Sequence, residues 1–469
     1  MVGSVEDFAV TIPTSTYRLQ FRNGMTFERA EKLIPYLRSM GISHLYGSPI
    51  MTAVSGSTHG YDVTNCNEID PTLGGRSGFD RLSNKLKKAG LSLIVDIVPN
   101  HMAASIENAW WADVLRHGNK SRFANHFDID WSQKLTLPIL GKSFGQALRA
   151  GEVRLAIDDK NNPSLAYFGT ALPLAPDTIA DIADPIDFNA IEAVHNRQYW
   201  QLTHWKTAAR HLTYRRFFEV TGLVGLKIEN SEVFDDSHRL ILELVATGQV
   251  EGIRLDHIDG LADPESYLNS LRQAVGPDFY IIAEKILGAN EQLPAEWPIS
   301  GTTGYEFVTA LSDLLVDPDG AQVLRSRYAD LCPDSGDFDA EIRASKALMV
   351  DRNFEGETRG LVKIAMRASH DLTEEEVAHA IRELLIAFPI YRTYGGKDAL
   401  GPRDATVLHR AVERARKYVA DPRALEWLAS VLDDGSQAEL RKRFQQLSGP
   451  IMAKAIEDTL FTDLMPSLP

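Results

Sequence analysis

Cysteine is scarce in this chain: its 469 residues include two, Cys66 and Cys332, far apart in sequence. That excludes a disulfide-stapled fold and a cysteine-based zinc site, and leaves both thiols as buried or inert side chains. Long apolar runs are lacking too. No stretch approaches the roughly 18 uncharged apolar residues that span a bilayer, so no membrane partner is expected. Positive charge is in short supply, with 49 Lys and Arg against 64 Asp and Glu and a formal net charge of -15. Such a chain repels nucleic-acid phosphates and suits a neutral or cationic ligand. The stretch MVGSVEDFAV carries acids where an export signal carries Lys or Arg, which predicts a cytoplasmic protein.

What is present is the composition of an ordinary globular chain, 44% hydrophobic and 24% charged, long enough for one large domain with insertions or for two to three domains. The first third alternates between strands and helices. TSTYRLQF (14–21) reads as a strand, followed by a helix in TFERAEKLIPYLRSMG with Phe27, Ala30, Leu33, Ile34 and Leu37 on one face, kinked at Pro35 and stopped at Gly41. SHLYGSPI (43–50) is a second strand, and RSGFDRLSNKLKKAG an amphipathic helix closed by Gly90. LSLIVDIVPN (91–100) is a third strand, whose apolar run implies burial on both faces.

Residues 102–212, rich in Trp, Phe, Pro and Asn, then interrupt the pattern as an inserted domain. Alternation resumes near 250 with the strand VEGIRLD, a helix from Asp263-Pro264 to Gly276, the strand FYIIAEKI (279–286) and a sixth strand near 299–304. From 305 the pattern is helical: Thr373 and Glu376 are spaced as a capping box, and Leu408, Ala411, Val412 and Ala415 form one stripe. The expected division is a first part of a barrel in 1–101, the insertion in 102–212, a second part of the barrel in 213–304 and a helical region in 305–469.

Repeated βα units mean a parallel sheet, and the placement of polar residues decides its form. Asp96, Asn100 and His101, then Asp256, then Glu284 gather at the C-terminal ends of successive strands, which is the site arrangement of a (β/α)₈ barrel. The last two strands are missing, so the barrel is expected to be incomplete. A glycine-rich nucleotide-binding turn is also missing, and neither cofactor nor metal is expected.

Asp256 and Glu284 end strands joined by one helix. Neighbouring parallel strands lie about 4.8 Å apart, so the two carboxylates can come within the roughly 5 to 5.5 Å that a retaining glycosidase needs, one as nucleophile and one as acid and base. Arg254, two residues before Asp256, falls on the same side of its strand and is expected to keep Asp256 ionised. Glu284 follows YIIA, an apolar setting expected to raise its pKa and hold its proton for the leaving oxygen. Helix capping or loop solvation would explain each acid singly, but explains less well a pair with an Arg in register.

DIVPNH (96–101), GIRLDH (252–257) and IIAEKI (281–286) resemble three of the four short signatures of the α-amylase superfamily of glycoside hydrolases, and STHGYD (57–62) resembles the aromatic-bearing segment before them. The longer stretches STYRLQF, LTYRRFFEV, ISGTTGYEF, FPIYRTY and FQQLSGPIMAKAIEDT are similar to those of the maltooligosyltrehalose synthase subfamily. This resemblance implies Asp256 as nucleophile and Glu284 as general acid/base, with Arg254 and His101 on the sugar, Tyr61 stacked on its face, and His59 and Asp62 nearby. Asn100 and His257 complete the candidate substrate-binding set, His257 either orienting Asp256 or touching the sugar. The implied substrates are malto-oligosaccharides and other α-1,4-glucans. The implied reaction turns the α-1,4 bond at the reducing end into α-1,1. A hydrolytic amylase and a non-catalytic glucan-binding protein are the alternatives.

The fourth signature of the family, whose His and Asp complete the catalytic set, has no counterpart before the final TDLMPSLP; His370-Asp371 reads as the edge of a helix. The expectation is a C-terminally truncated chain of low activity by itself. Its open sheet edges would pair with a separate C-terminal polypeptide or with another copy.

Overall fold

Apolar β-branched runs bounded by glycine, proline and polar residues set the central strands. The computed structural model describes residues 12–157, 162–178, 187–288, 290–331 and 338–460. MVGSVEDFAV, Cys332 and TDLMPSLP lie outside them. The chain divides into two compact units, one made of Met1–Leu261, Ser266–Glu284 and Pro298–Ser300, the other of Ala262–Glu265, Lys285–Trp297 and Gly301–Pro469.

In the first unit β1 (Thr16–Leu19), β2 (His44–Gly47), β3 (Ser92–Ile97), β4 (Gly252–Leu255) and β5 (Tyr280–Ala283) lie side by side in that order, parallel at every pairing. The Ser300 N–H donates to the Ile281 carbonyl at 2.7 Å and leads into a sixth, two-residue strand, Gly301–Thr302, at the place expected. All four residues of β4 are buried, as are Leu93 to Ile97 of β3, so these central strands are covered on both faces. This is the incomplete (β/α)₈ barrel that the strand pattern implies.

Helices α1 (Phe27–Ser39), α2 (Gly75–Lys88), α3 (Ser231–Ala246) and α4 (Pro264–Val275) provide the crossovers. Thr26 caps α1 by accepting from the Arg29 N–H, and the face Phe27, Ala30, Ile34 and Leu37 is buried. The helix is one continuous element through Pro35, which lies on its exposed side. Phe27 meets Phe21 and Phe79 edge to face at 5.1 and 5.7 Å, locking α1 against the sheet and α2.

Two local departures have simple causes. SHLYGSPI stops as a strand at Gly47, where a Cβ would lie 2.8 Å from the Phe21 ring; Met51–Ala53 instead pairs antiparallel with Val63–Ile69. Helix α3, capped by Asn230 and burying Val233, Phe234, Leu240, Ile241 and Leu244, precedes β4 although the regular pattern was expected to resume only near 250. Within 102–212, Val153–Ile157, Pro163–Tyr167 and Thr170–Pro173 form a small antiparallel sheet, and Leu135–Leu140 pairs parallel with Trp200–His204. Trp111 and Trp200 are buried there, while Trp205 is 56% exposed.

The second unit is helical. Phe354, Leu361, Ile381, Leu384, Leu408, Ala411, Leu425, Leu428 and Phe444 are among the residues of one apolar core. The capping box is formed, Thr373 accepting from the Glu376 N–H and Glu376 from the Thr373 N–H, and the stripe Leu408, Ala411, Val412, Ala415 is buried. His370 and Asp371 are exposed just before that cap. Two helices differ from the rest: α5 (Tyr305–Leu315) and α6 (Pro318–Leu331) contain no buried residue. Among the described residues no helix is long and apolar enough to cross a membrane.

Candidate active site

β3, β4 and β5 bring their C-terminal ends to one level. The Asp256 N–H donates to Ile97 O and the Glu284 N–H to Leu255 O, both at 2.9 Å, so the parallel pairing continues one residue past the strands and the two carboxylates leave equivalent positions. Arg254 pairs with Asp96 in register and, by strand alternation, shares a side with Asp256. Its Nη1 lies 2.6 Å from Asp256 Oδ1 and 2.9 and 3.1 Å from the two oxygens of Asp96, and its Nη2 lies 2.9 Å from Glu284 Oε1. One guanidinium thus serves three carboxylates.

That sharing limits one expected effect. Burial, followed by the negative charge of Glu284, holds the Asp256 carboxyl well above its ordinary value despite the pull of Arg254. Arg254 does draw the Asp256 carboxyl down, but its charge is divided among three acids and burial outweighs its pull. Burial likewise raises the Asp96 carboxyl against the opposing effect of Arg254 and of the Tyr61 and Tyr46 hydroxyls. Burial opposes the charge of Arg254 itself, but Asp96, Asp256 and Glu284 together hold the guanidinium protonated beyond its ordinary value.

Glu284 is not in the apolar setting expected from YIIA. Its side chain is 27% exposed, with Oε1 on Arg254 and Oε2 accepting from the His257 N–H at 2.8 Å. His257 adopts a left-handed backbone, φ 47° and ψ 51°, an uncommon conformation for a non-glycine residue that here aims its N–H at Glu284.

Asp96 is the member of the site that sequence reasoning placed only at the rim. It is fully buried, and its Oδ2 accepts from Tyr46 Oη at 2.9 Å and Tyr61 Oη at 2.7 Å. Arg18 Nη2 donates to Tyr61 Oη at 3.1 Å. Burial, then the charge of Asp96, pushes both tyrosine hydroxyls above their ordinary values. Tyr46 and Arg18 were not anticipated; a signal existed in the inward alternation of Arg18, Tyr46 and Asp96 along β1 to β3. His59 and Asp62 sit on the Tyr61 loop. His59 is exposed and stacks on Tyr61 with centroids 6.0 Å apart, and Asp62 Oδ1 accepts from Ser57 Oγ at 2.5 Å.

On the other flank, His101 is buried against Phe217, ring centroids 4.6 Å apart, and Phe217 and Phe218 each lie 4.9 Å from the His257 ring. Burial, then the neighbouring charges of His257 and Arg215, drives the His101 pKa well below its ordinary value. Asn100 is fully buried, its amide engaged by Arg215 and His101. Among the described residues no group of three or more His, Cys, Asp and Glu side chains is placed to hold a metal ion. Two carboxylates at the ends of adjacent strands, a shared cation and an aromatic flank equip the site for acid, base and nucleophilic work on a neutral polar substrate.

Residues 30–277 match the α-amylase catalytic domain family. The chain belongs to the α-amylase family. It is 37% identical over 462 residues, 95% of its length, to a putative maltooligosyl trehalose synthase of Mycobacterium tuberculosis. Among solved structures it is similar to the maltooligosyltrehalose synthase of Arthrobacter ramosus, with a TM-score of 0.85 and 34% identity over 96% of this chain. It is also similar to a hypothetical maltooligosyl trehalose synthase of Sulfolobus tokodaii, with a TM-score of 0.78 and 32% identity over 96%. The chain spans 56% of the length of each of these three relatives. The site of this α-amylase family member lies at the C-terminal end of its barrel strands, where barrels of this architecture carry their chemistry.

Proposed function

We propose that this chain carries the catalytic carboxylates of a maltooligosyltrehalose-forming transglucosylation on malto-oligosaccharides. The observation that carries the reading is the binding of Asp256 and Glu284 by the single guanidinium of Arg254 at equivalent ends of adjacent parallel strands. Relatives bearing the synthase name align over nearly the whole chain and support it.

In this reading the Asp256 carboxylate attacks the anomeric carbon on the non-reducing side of the last α-1,4 bond. Glu284 gives its proton to the departing oxygen, and a glycosyl ester forms on Asp256. The freed glucose stays, and Glu284 takes the proton of its anomeric hydroxyl. That oxygen attacks the ester carbon, releases Asp256 and forms the α-1,1 bond. Tyr61 stacks on the reacting sugar, His101 and Arg254 bond to it, Asn100 and His257 support them, and His59 and Asp62 line the rim. Phe217 and Phe218 help keep out the water that would hydrolyse the ester.

The test uses maltopentaose and proton NMR, with the protein as it stands and joined to the remaining segment of a full-length relative. Loss of reducing ends with appearance of an α-1,1 anomeric signal, abolished by Asp256→Asn and by Glu284→Gln, is the expected result. Release of glucose or maltose with new reducing ends would replace this reading with a hydrolytic one; binding without turnover by every form would leave only a glucan-binding role.

The same proposal includes a cytoplasmic location and a partner for the open side of the barrel. Among the described residues of the first unit β1 pairs only with β2, and in the second unit, taken by itself, Phe307, Leu314, Leu324 and Leu331 are 69 to 81% exposed. A C-terminal polypeptide, or a second copy, would cover such surfaces. Sedimentation velocity with and without a C-terminal segment tests this; a monodisperse monomer that ignores the segment speaks against it.

A further inference from the structure

Arg215, in the segment LTYRRFFEV, directs its guanidinium at oxygen atoms beside the site. Nε is 3.0 Å from Asp128 Oδ2, Nη1 donates to Asn100 Oδ1 at 2.6 Å, and Nη2 donates to Leu226 O at 2.7 Å and reaches Asn100 O at 3.4 Å. The packing allows little slack. A Cβ on Gly225 would fall 2.4 Å from Arg215 Cζ, and a Cβ on Gly260 would fall 2.5 Å from Asn100 Oδ1 and 2.4 Å from His257 Cδ2. Two glycines therefore clear the space in which Arg215 holds Asn100.

Holding Asn100 has a chemical consequence one residue further on. A guanidinium only donates, so at 2.6 Å the Asn100 atom facing it must be the carbonyl oxygen; the flipped amide would set two donors against each other. The amide nitrogen is then fixed toward His101, with Nδ2 3.2 Å from Nδ1. An NH₂ group can only donate, so Nδ1 must accept and carries no proton. The ring is neutral, its pKa being driven down chiefly by burial, so its one proton resides on Nε2. Nε2 is buried and makes no hydrogen bond of full geometry among the described residues, the backbone of Tyr61 exerting only a minor upward influence on the ring.

We propose that Arg215 is a positioning residue that fixes the amide of Asn100 and, through it, the Nε2–H tautomer of His101, so that the site offers a buried, unpartnered donor. A buried donor without a partner costs free energy and is retained where a ligand acceptor completes it. On the reading above, that acceptor is a hydroxyl oxygen of the reacting glucose unit; this clause rests on the proposed function, whereas the tautomer does not. A Lys at position 215 would keep the charge but lose the fork that reaches Asn100, Asp128 and Leu226 together.

The experiment is nitrogen NMR of the histidine rings in the unliganded protein, with His101 assigned by its loss in His101→Gln. The parent is expected to show His101 as the Nε2–H tautomer across neutral pH. Asn100→Asp keeps an acceptor for Arg215 but replaces the NH₂ by a second acceptor, so it is expected to move His101 to the Nδ1–H form. Arg215→Lys is expected to give a mixture of the two. A parent ring protonated on Nδ1, or an Asn100→Asp ring still protonated on Nε2 with unchanged circular dichroism, overturns the inference. Should Arg215→Lys fail to fold, the parent and Asn100→Asp decide alone. Because no turnover is measured, failure of the tautomer assignment is distinct from failure of the proposed reaction.

Discussion

Asp96 and Arg254 face each other in register across β3 and β4, 158 residues apart in sequence, and Arg254 Nη1 bonds both carboxylate oxygens of Asp96 at 2.9 and 3.1 Å. This pair forms the floor on which Asp256 and Glu284 stand. It explains why charges are placed on so apolar a run: the three acids share one cation, which Asp96 supplements with two tyrosine hydroxyls and Glu284 with the His257 N–H.

Replacing Arg254 with Met leaves Asp96, Asp256 and Glu284 without it. A buried ion pair broken on one side costs about 3 to 5 kcal/mol, so urea denaturation at pH 7 should show a loss of that order. The sign with pH follows from linkage. Without Arg254 the folded-state pKa values of Asp96 and Asp256, already raised, rise further above the unfolded ones, so the penalty grows as pH rises from the unfolded carboxylate range toward those raised values. It shrinks as pH falls toward the unfolded carboxylate range. A variant no less stable than the parent at pH 7 would mean that the three acids do not depend on Arg254.

The Asp256 carboxyl is held up by burial and then by Glu284. Glu284→Gln removes a negative charge while leaving burial unchanged, so the Asp256 pKa should fall. Carboxyl carbon NMR of labelled aspartate reads this directly. A value that stays put or rises would mean that Glu284 does not act on Asp256 through its charge.

Tyr61→Phe and Tyr46→Phe each delete one hydroxyl donor to Asp96 Oδ2. Hydrogen bonds to charged groups contribute about 1.5 to 3 kcal/mol, and each variant should lose stability on that scale. The double variant should not be the sum, since both donors share one oxygen. Equilibrium unfolding of the four proteins in the cycle gives the coupling; strict additivity would argue against a shared acceptor.

Gly260→Ala places a methyl 2.5 Å from Asn100 Oδ1 and 2.4 Å from His257 Cδ2. Overpacking of this kind costs about 1 to 3 kcal/mol. The displaced groups flank the site, so affinity for malto-oligosaccharides, measured by calorimetry, should fall as well. Gly222→Ala, where nothing lies within 4 Å of the added carbon, is the control and should change neither.

Much of this protein was legible from its residues. Local apolar periodicity marked five parallel strands and located the sixth, because burial on two faces leaves an unbroken apolar run and a helix leaves a 3.6-residue one. Strand alternation put Arg254 beside Asp256, and equivalent strand ends put Glu284 next to it, because register in a parallel sheet is fixed by the same burial. Helix α3 was equally periodic and was passed over.

What only the tertiary structure decided is how charge and hydrogen bonds are shared. That Arg254 divides itself among three acids, so that burial outweighs its pull on Asp256, depends on Asp96 arriving from a strand 158 residues away. That Glu284 is held by Arg254 and the His257 N–H rather than by apolar neighbours depends on one left-handed residue. That Asn100 is gripped by Arg215 depends on a contact 115 residues apart in sequence. Periodicity reports which face a residue takes, since burial is a property of its own element. A pKa or a tautomer is set by whichever groups come within a few ångströms, and in this chain those groups come from distant elements.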